Sequence, residues 1–78
     1  MSTDPATATV RVAAVVRANM TRTGVGVAGL VSGAALSPST VHRRLAGESP
    51  FTVSELVDVG SMFDMTVSDI LREAERLA

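Results

Sequence analysis

The stretch from Leu36 to Gly47 contains both a start and a stop signal for a short helix. Ser37 is a favoured N-cap, and Pro38 suits the first helical position because proline lacks only an N–H that the first turn leaves unpaired. Gly47 supplies the stop, since glycine readily takes the left-handed conformation in which many helices end. The stretch therefore predicts a helix over residues 38–46, about two and a half turns long.

The predicted helix has two faces of opposite character. At about 100° per residue, Val41 and Leu45 fall on one side. The other side carries polar, basic and small side chains: Ser39, His42, Arg43 and Ala46. The first side is expected to pack on a core. The short length of the helix and its polar, basic second side suit a helix that enters a nucleic-acid groove.

The length of 78 residues predicts one domain, residues 5–78, behind a flexible tail, residues 1–4. Its core must be small, because a chain this short buries only about 60–65% of its unfolded surface. There is no cysteine, so neither disulfides nor thiolate metal sites support the fold. The aromatic residues are two phenylalanines, which argues against a stacking platform for single-stranded nucleic acid.

The net charge of −1 hides an asymmetry along the chain. Residues 1–47 carry five arginines and one aspartate, a net +4, whereas residues 48–78 carry two arginines and seven carboxylates, a net −5. The basic half is the half that contains helix 38–46. All seven cations are arginine, which favours bidentate contacts to phosphate and guanine, although coding bias would produce the same composition.

Two helices are predicted before residue 38. The first begins at Pro5 after an Asp4 cap and ends at Thr23-Gly24. Its core stripe is predicted to consist of Val12, Val15, Val16 and Met20. The second, over about residues 27–33, must be held by packing, because each interior glycine costs about 1 kcal/mol relative to alanine. Such small residues allow two helices to approach closely.

Two further helices are predicted after residue 50. Residues 52–55 form a Thr-x-x-Glu capping box that starts a helix at Val53, with Phe51 and Leu56 as its hydrophobic staple. Residues 66–69 repeat the cap at the start of a last helix. The predicted core-facing side chains are Leu56, Val59, Met62, Phe63, Ile70, Leu71, Ala74 and Leu77.

The turn between these two helices contains Asp64, which is predicted to end the fourth helix in the left-handed conformation. Five short helices without a strand give an all-α fold.

Residues 24–29 match the G-x-G-x-x-G pattern of dinucleotide-binding folds. That pattern needs a strand before its first glycine and an acidic residue about 20 positions later, at the end of a second strand. Here the polar residues 19–23 precede it, and Glu48 lies in a predicted turn. The context therefore excludes a nucleotide site.

Catalytic chemistry has few candidate residues in this chain. It contains a single histidine, no cysteine and no paired ligands at metal spacing. We therefore expect no enzyme activity, no catalytic, metal or cofactor site, and no small-molecule substrate. The longest apolar run, residues 25–36, is shorter than the roughly 20 residues of a bilayer span, and no secretory signal is visible, which predicts a cytoplasmic protein without a membrane partner.

A resemblance covers roughly residues 12–71. Residues 35–41, Ala-Leu-Ser-Pro-Ser-Thr-Val, are followed by Arg-Arg-Leu-Ala-Gly at 43–47 and by Ser-Pro-Phe-Thr at 49–52. The pattern continues with Glu55-Leu56 and ends with Thr66 and Ile70-Leu71. In this order and spacing the chain resembles the helix-turn-helix domains of the phage Cro and repressor type, the XRE-like family.

The resemblance implies a compact five-helix domain that reads the major groove of a double-stranded DNA operator with helix 38–46. It implies a transcriptional regulator in the cytoplasm of a bacterial host cell, most like a Cro-type or immunity repressor. The residues expected at base edges are Ser39, His42 and Arg43. Those expected at phosphates are Arg22, Gly26, Val27, Thr40, Arg44 and Ser49.

The chain departs from the family pattern at four positions. Val27 stands where the family often has glutamine, and Val31 where it favours alanine. Ala35 occupies a turn position that favours glycine, at a cost of about 1 kcal/mol, which leaves the turn open to being reshaped. Pro38 stands where relatives often read a base, and it offers only van der Waals contact. Fewer direct base contacts are therefore expected.

Three alternatives remain open from the sequence. Arg44 and Glu48 could form an i,i+4 pair worth a few tenths of a kcal/mol. The chain could be a helical protein-interaction module, an adaptor or antitoxin-like partner, that uses its acidic C-terminal half. The oligomeric state, monomer or homodimer, is also open.

Overall fold

A computed structural model describes residues 4–77. Within that range there are five helices and no strand, namely α1 (Pro5–Thr23), α2 (Val27–Ala34), α3 (Pro38–Leu45), α4 (Val53–Met62) and α5 (Val67–Arg76). The predicted all-α fold is confirmed. Of the predicted tail, residues 1–3 lie outside the described residues. Asp4 accepts a hydrogen bond from the Ala6 amide and caps α1, as predicted.

Helices α3, α4 and α5 begin where side chains accept hydrogen bonds from their first free amides. At α3, the Thr40 amide donates to the Ser37 hydroxyl oxygen at 3.2 Å. At α4, the Glu55 amide donates to Thr52 Oγ1 and the Thr52 amide donates to Glu55 Oε1, both at 3.1 Å. The same reciprocal pair of bonds starts α5. Both predicted boxes are therefore present.

Helices α3 and α4 end in the same kind of turn, in which a left-handed residue follows the last helical turn. In α3 this residue is Gly47 (φ 77°), and the amide after it donates to the Arg43 carbonyl oxygen at 3.1 Å. In α4 it is Asp64 (φ 59°), and the Met65 amide donates to the Gly60 carbonyl oxygen at 2.8 Å. The predicted left-handed Asp64 is confirmed.

The turn between α2 and α3 is not reshaped. Ala35 lies at φ 53° and ψ 42°, so an alanine takes the left-handed conformation that favours glycine. Its Cβ crowds the backbone there, and the strain is held by the packing of the two helices it joins.

We expect Ala35→Gly to raise the free energy of unfolding by about 0.5–1 kcal/mol, because glycine takes this conformation without the Cβ penalty. Ala18→Gly is the matched control, since Ala18 is exposed within α1 and glycine there should cost about 1 kcal/mol. Urea unfolding of both variants checks the sign. Equal losses of stability would show that Ala35 is unstrained.

The core consists of two adjoining clusters that meet at α1. The first cluster joins α1 to α2, α3 and α4 through Val16, Leu30, Ala34, Val41, Val59 and Phe63. The second joins α1 to α4 and α5 through Val15, Leu56, Ile70 and Ala74. Because the adjacent Val15 and Val16 belong to different clusters, α1 contributes to both.

Two predicted core residues of α5 are in fact exposed. Leu71 is 44% exposed and Leu77 is 54% exposed, whereas Ile70 and Ala74 are buried. Residues four apart share one helix face, and Leu71 lies about 100° away from that face. Leu77 is the C-cap residue, beyond the last buried position of the helix. The prediction of an inward Leu71 and Leu77 was wrong for these reasons.

Glycines allow close approach at two places. A Cβ on Gly33 of α2 would lie 2.5 Å from Met62 Sδ of α4, so the predicted use of small residues in α2 is confirmed there. A Cβ on Gly60 would lie 2.6 Å from the Met65 carbonyl oxygen. No local pattern in the sequence predicts the second close approach, because the crowding atom belongs to the turn that follows α4.

Candidate nucleic-acid interface

Helices α2 and α3 form a helix-turn-helix unit with residues 35–37 as the turn. Leu30 and Ala34 of α2 and Val41 of α3 are buried in the same cluster. Leu45 packs against that cluster and is half-buried. Helix α3 is therefore fixed by its apolar side, as the sequence predicted, and its opposite side is presented outward.

The outward side of α3 brings three predicted base-contacting residues onto one surface. Ser39, His42 and Arg43 are all exposed, and Ala46 beside them is exposed as well. Neither His42 nor Arg43 takes part in an ion pair within residues 4–77. The surface thus offers a hydroxyl, an imidazole and a guanidinium to a partner. Whether they contact bases stays a prediction.

The N-terminus of α2 provides backbone donors beside this unit. Gly26 is the N-cap residue, and no side chain within the described residues caps the helix. Backbone amides at such an end, together with the helix dipole, favour an anion. At the start of α3, Thr40 Oγ1 accepts a hydrogen bond from the Ser37 hydroxyl at 2.9 Å. The phosphate contacts predicted for Gly26, Val27 and Thr40 are not tested by this geometry.

Arg44 has a different environment from its neighbour Arg43. Its Nε donates to Glu55 Oε1 at 2.9 Å, one terminal nitrogen to Glu55 Oε2 at 3.3 Å, and the other to Ser49 Oγ at 2.6 Å. The side chains of Arg44 and Glu55 are only 18% and 14% exposed. The carboxylate that pairs with Arg44 is thus Glu55 and not Glu48, and Ser49 belongs to the same cluster.

Arg22 is engaged by the end of α4. Its Nε donates to Asn19 Oδ1 at 2.9 Å, and a terminal nitrogen donates to the Phe63 carbonyl oxygen at 3.1 Å. Asn19 is itself buried and donates to the Val15 carbonyl oxygen and, at 3.4 Å, to Glu73. This network links α1 to the end of α4 and to α5. The sequence predicted a phosphate contact for Arg22 and did not predict the network.

Arg17 is a further residue that the sequence analysis did not assign. Its guanidinium donates to the Leu45 carbonyl oxygen at the C-terminal end of α3. A cation at this end is favourable because the helix dipole is negative there. Arg17 therefore fixes the end of α3 to α1, and no local sequence signal links residues this far apart.

Residues 7–78 match the family model of the BetR domain. The chain belongs to the BetR domain family. This is a family of small helical domains commonly linked to DNA-binding regulators. No curated protein and no solved structure matches the chain.

The described part of this BetR domain contains neither a cluster of metal ligands nor a helix that could span a membrane. Among residues 4–77, no group of three or more histidine, aspartate or glutamate side chains is arranged to hold a metal ion. None of the helices described above has both the length and the apolar character that a bilayer crossing requires.

The carboxyl group of Glu55 is held in its charged form. The hydrogen bonds from Arg44 and from the Thr52 amide outweigh the effect of burial and lower the pKa of Glu55 below its ordinary value. A lowered folded-state pKa means that this stabilisation is present above the ordinary pKa of about 4.5 and is lost as the pH falls through the folded value.

We therefore expect the wild-type BetR domain to lose stability more steeply than Glu55→Gln as the pH is lowered from about 5 towards 3. Glutamine can still form the capping box, so the variant isolates the charge. Urea unfolding at a series of pH values compares the two. Parallel curves would mean that the Glu55 charge contributes nothing to stability.

Proposed function

We propose that this BetR domain is a sequence-specific double-stranded DNA-binding transcriptional regulator of the Cro or repressor type, which reads the major groove with α3. The observation that supports this most directly is the outward side of α3, where Ser39, His42 and Arg43 are exposed and neither His42 nor Arg43 forms an ion pair within residues 4–77. Arginine can contact guanine O6 and N7 in the major groove, and serine can contact either a base or a phosphate.

The buried side of α3 supports the same proposal. A reading helix must be held in a defined orientation, and Val41 in the core with Arg17 at the helix end provides that. The amides of Gly26 and Val27 and the side chain of Thr40 are proposed to bind the flanking phosphates. Arg22, Arg44 and Ser49 are bound within the protein, so their predicted phosphate contacts contribute less than the sequence implied.

The proposed regulator acts by occupying an operator in the cytoplasm of a bacterial cell. It needs no catalytic step, cofactor or small-molecule substrate, and no membrane partner. For this action the exposed side chains of α3 only have to bind DNA.

A binding titration tests the proposal. Fluorescence anisotropy with labelled duplexes from the protein's own genomic neighbourhood, against unrelated duplexes of equal length, should show sequence-dependent binding that weakens with salt. Arg76→Ala, at an exposed arginine near the end of α5, is the control for removing a positive charge elsewhere. Absence of salt-dependent binding to any of these duplexes at micromolar protein would contradict the proposal.

A second candidate, a helical protein-interaction module, is favoured by a different surface. Val53 is 71% exposed and Leu71 44% exposed, and both line an apolar groove between α1, α4 and α5. The acidic half supports it less than the sequence suggested, because Glu55, Asp69 and Glu73 have partners within the fold. Leu71→Ser should leave DNA binding unchanged under the first function and abolish partner binding under the second.

A further inference from the structure

Two adjacent arginines of α3 have opposite environments. Arg43 is exposed and forms no ion pair within residues 4–77, whereas Arg44 is bound by Glu55 and Ser49. A step of one residue turns a side chain by about 100° around the helix, which moves it from the outward side to the flank that faces α4. The fold thus places two adjacent cations in different environments.

The partner of Arg44 is also held by the capping box of α4. Glu55 Oε1 accepts the Thr52 amide at 3.1 Å as part of the capping box of α4, and it also accepts Arg44 Nε at 2.9 Å. Ser49, in the loop between the two helices, takes the remaining terminal nitrogen at 2.6 Å. One carboxylate therefore starts α4 and at the same time fixes the flank of α3.

This arrangement matters for DNA because a bidentate carboxylate occupies the same donors that a phosphate would use. An arginine bound in this way adds little to sequence-independent attraction, which depends on cations that neutralise phosphates. Within residues 4–77, Arg43 has no such competitor.

We propose that Glu55 is a specificity-determining residue that withholds Arg44 from the DNA backbone, so that the binding energy of α3 comes mainly from the side that reads bases. The inference rests on the proposed DNA-binding function. It makes Arg44 a positioning residue for α3 in place of the phosphate contact that the resemblance implied.

The experiment compares salt dependence in four variants. Glu55→Gln keeps the capping box but removes the negative charge and the second carboxylate oxygen that hold Arg44, so log K against log salt for an unrelated duplex should steepen by about one unit. At about 0.1 M salt that corresponds to roughly tenfold tighter non-specific binding and a lower ratio of operator to non-specific affinity. Arg44→Gln alone should leave the wild-type slope unchanged, and the double variant should return to it.

Asp69→Asn is the matched control, because it removes one carboxylate from the second capping box. Its arginine partner, Arg72, is 61% exposed on α5 and lies at 3.4 Å. The control should leave the slope unchanged, which separates release of Arg44 from a general loss of negative charge.

The outcomes distinguish this inference from the proposed function. If the wild type binds DNA and Glu55→Gln shows the same salt slope as the wild type, the inference is overturned and the proposed function stands. The same holds if the salt slope of Arg44→Gln is flatter than that of the wild type by about one unit. If circular dichroism shows that Glu55→Gln does not fold, the salt slope of Arg44→Gln decides: an unchanged slope supports the inference and a slope flatter by about one unit overturns it. Absence of salt-dependent binding in the wild type overturns the proposed function and this inference with it.

Discussion

A Gly60→Ala protein is expected to be less stable than the wild type by about 3 kcal/mol. The added Cβ would lie 2.6 Å from the Met65 carbonyl oxygen and 3.3 Å from Ile70 Cδ1. The carbonyl oxygen belongs to the backbone turn that ends α4, in which the Met65 amide donates to the Gly60 carbonyl oxygen, so relieving the contact requires the backbone to shift. The gain of about 1 kcal/mol in helix propensity is smaller than this cost.

A domain of this size is typically stable by about 4–12 kcal/mol, so such a loss would lower the melting temperature by more than about 10 °C. Gly33→Ala is the matched control, because its Cβ would meet the flexible end of Met62 and not the backbone. We expect that variant to lie within about 1 kcal/mol of the wild type. Urea unfolding followed by circular dichroism measures both, and equal stability of the two variants would show that the turn after α4 relaxes freely.

Arg43→Ala is expected to reduce discrimination between the operator and unrelated DNA by about 5- to 150-fold. This range corresponds to the roughly 1–3 kcal/mol that a bidentate contact contributes to base discrimination. Arg43 is exposed and makes no ion pair within the described residues, so its removal should leave the fold intact.

Arg43→Lys is the informative control for this change. Lysine keeps the charge and hence the salt dependence, but it lacks the planar fork that contacts guanine bidentately. Competition binding against duplexes with single base-pair changes should show relaxed preference at one position of the site in both variants. An unchanged preference in Arg43→Ala would exclude Arg43 as a reader of sequence.

The helices could be predicted closely because their signals are local. The Ser37 cap, the two threonine capping boxes and the left-handed Asp64 each depend on residues within a few positions of one another, and all are present. The exposed side of α3 followed from helical periodicity alone. Helical periodicity was less reliable for Leu71. It identifies which positions of a helix are apolar, but it does not show how much of the apolar side of α5 the other helices cover.

The partners of the arginines could not be predicted from the sequence. Arg44 binds a carboxylate 11 residues away, Arg17 a carbonyl 28 residues away and Arg22 a carbonyl 41 residues away. Sequence spacing indicates partners three or four positions along a helix, whereas these contacts arise only after helices have packed. Two of the bonds end on backbone oxygens, which carry no residue-specific signal at all.

The pairing of α1 with α5 has a consequence for biosynthesis. The two helices are linked by the Asn19–Glu73 hydrogen bond, between residues 54 positions apart, and by the cluster of Val15 with Ile70 and Ala74. During translation α1 leaves the ribosome long before α5 has been made, so its Val15 side stays uncovered until nearly the whole domain is synthesised. The α1–α5 contacts are therefore the last part of the core that can form as the chain is made.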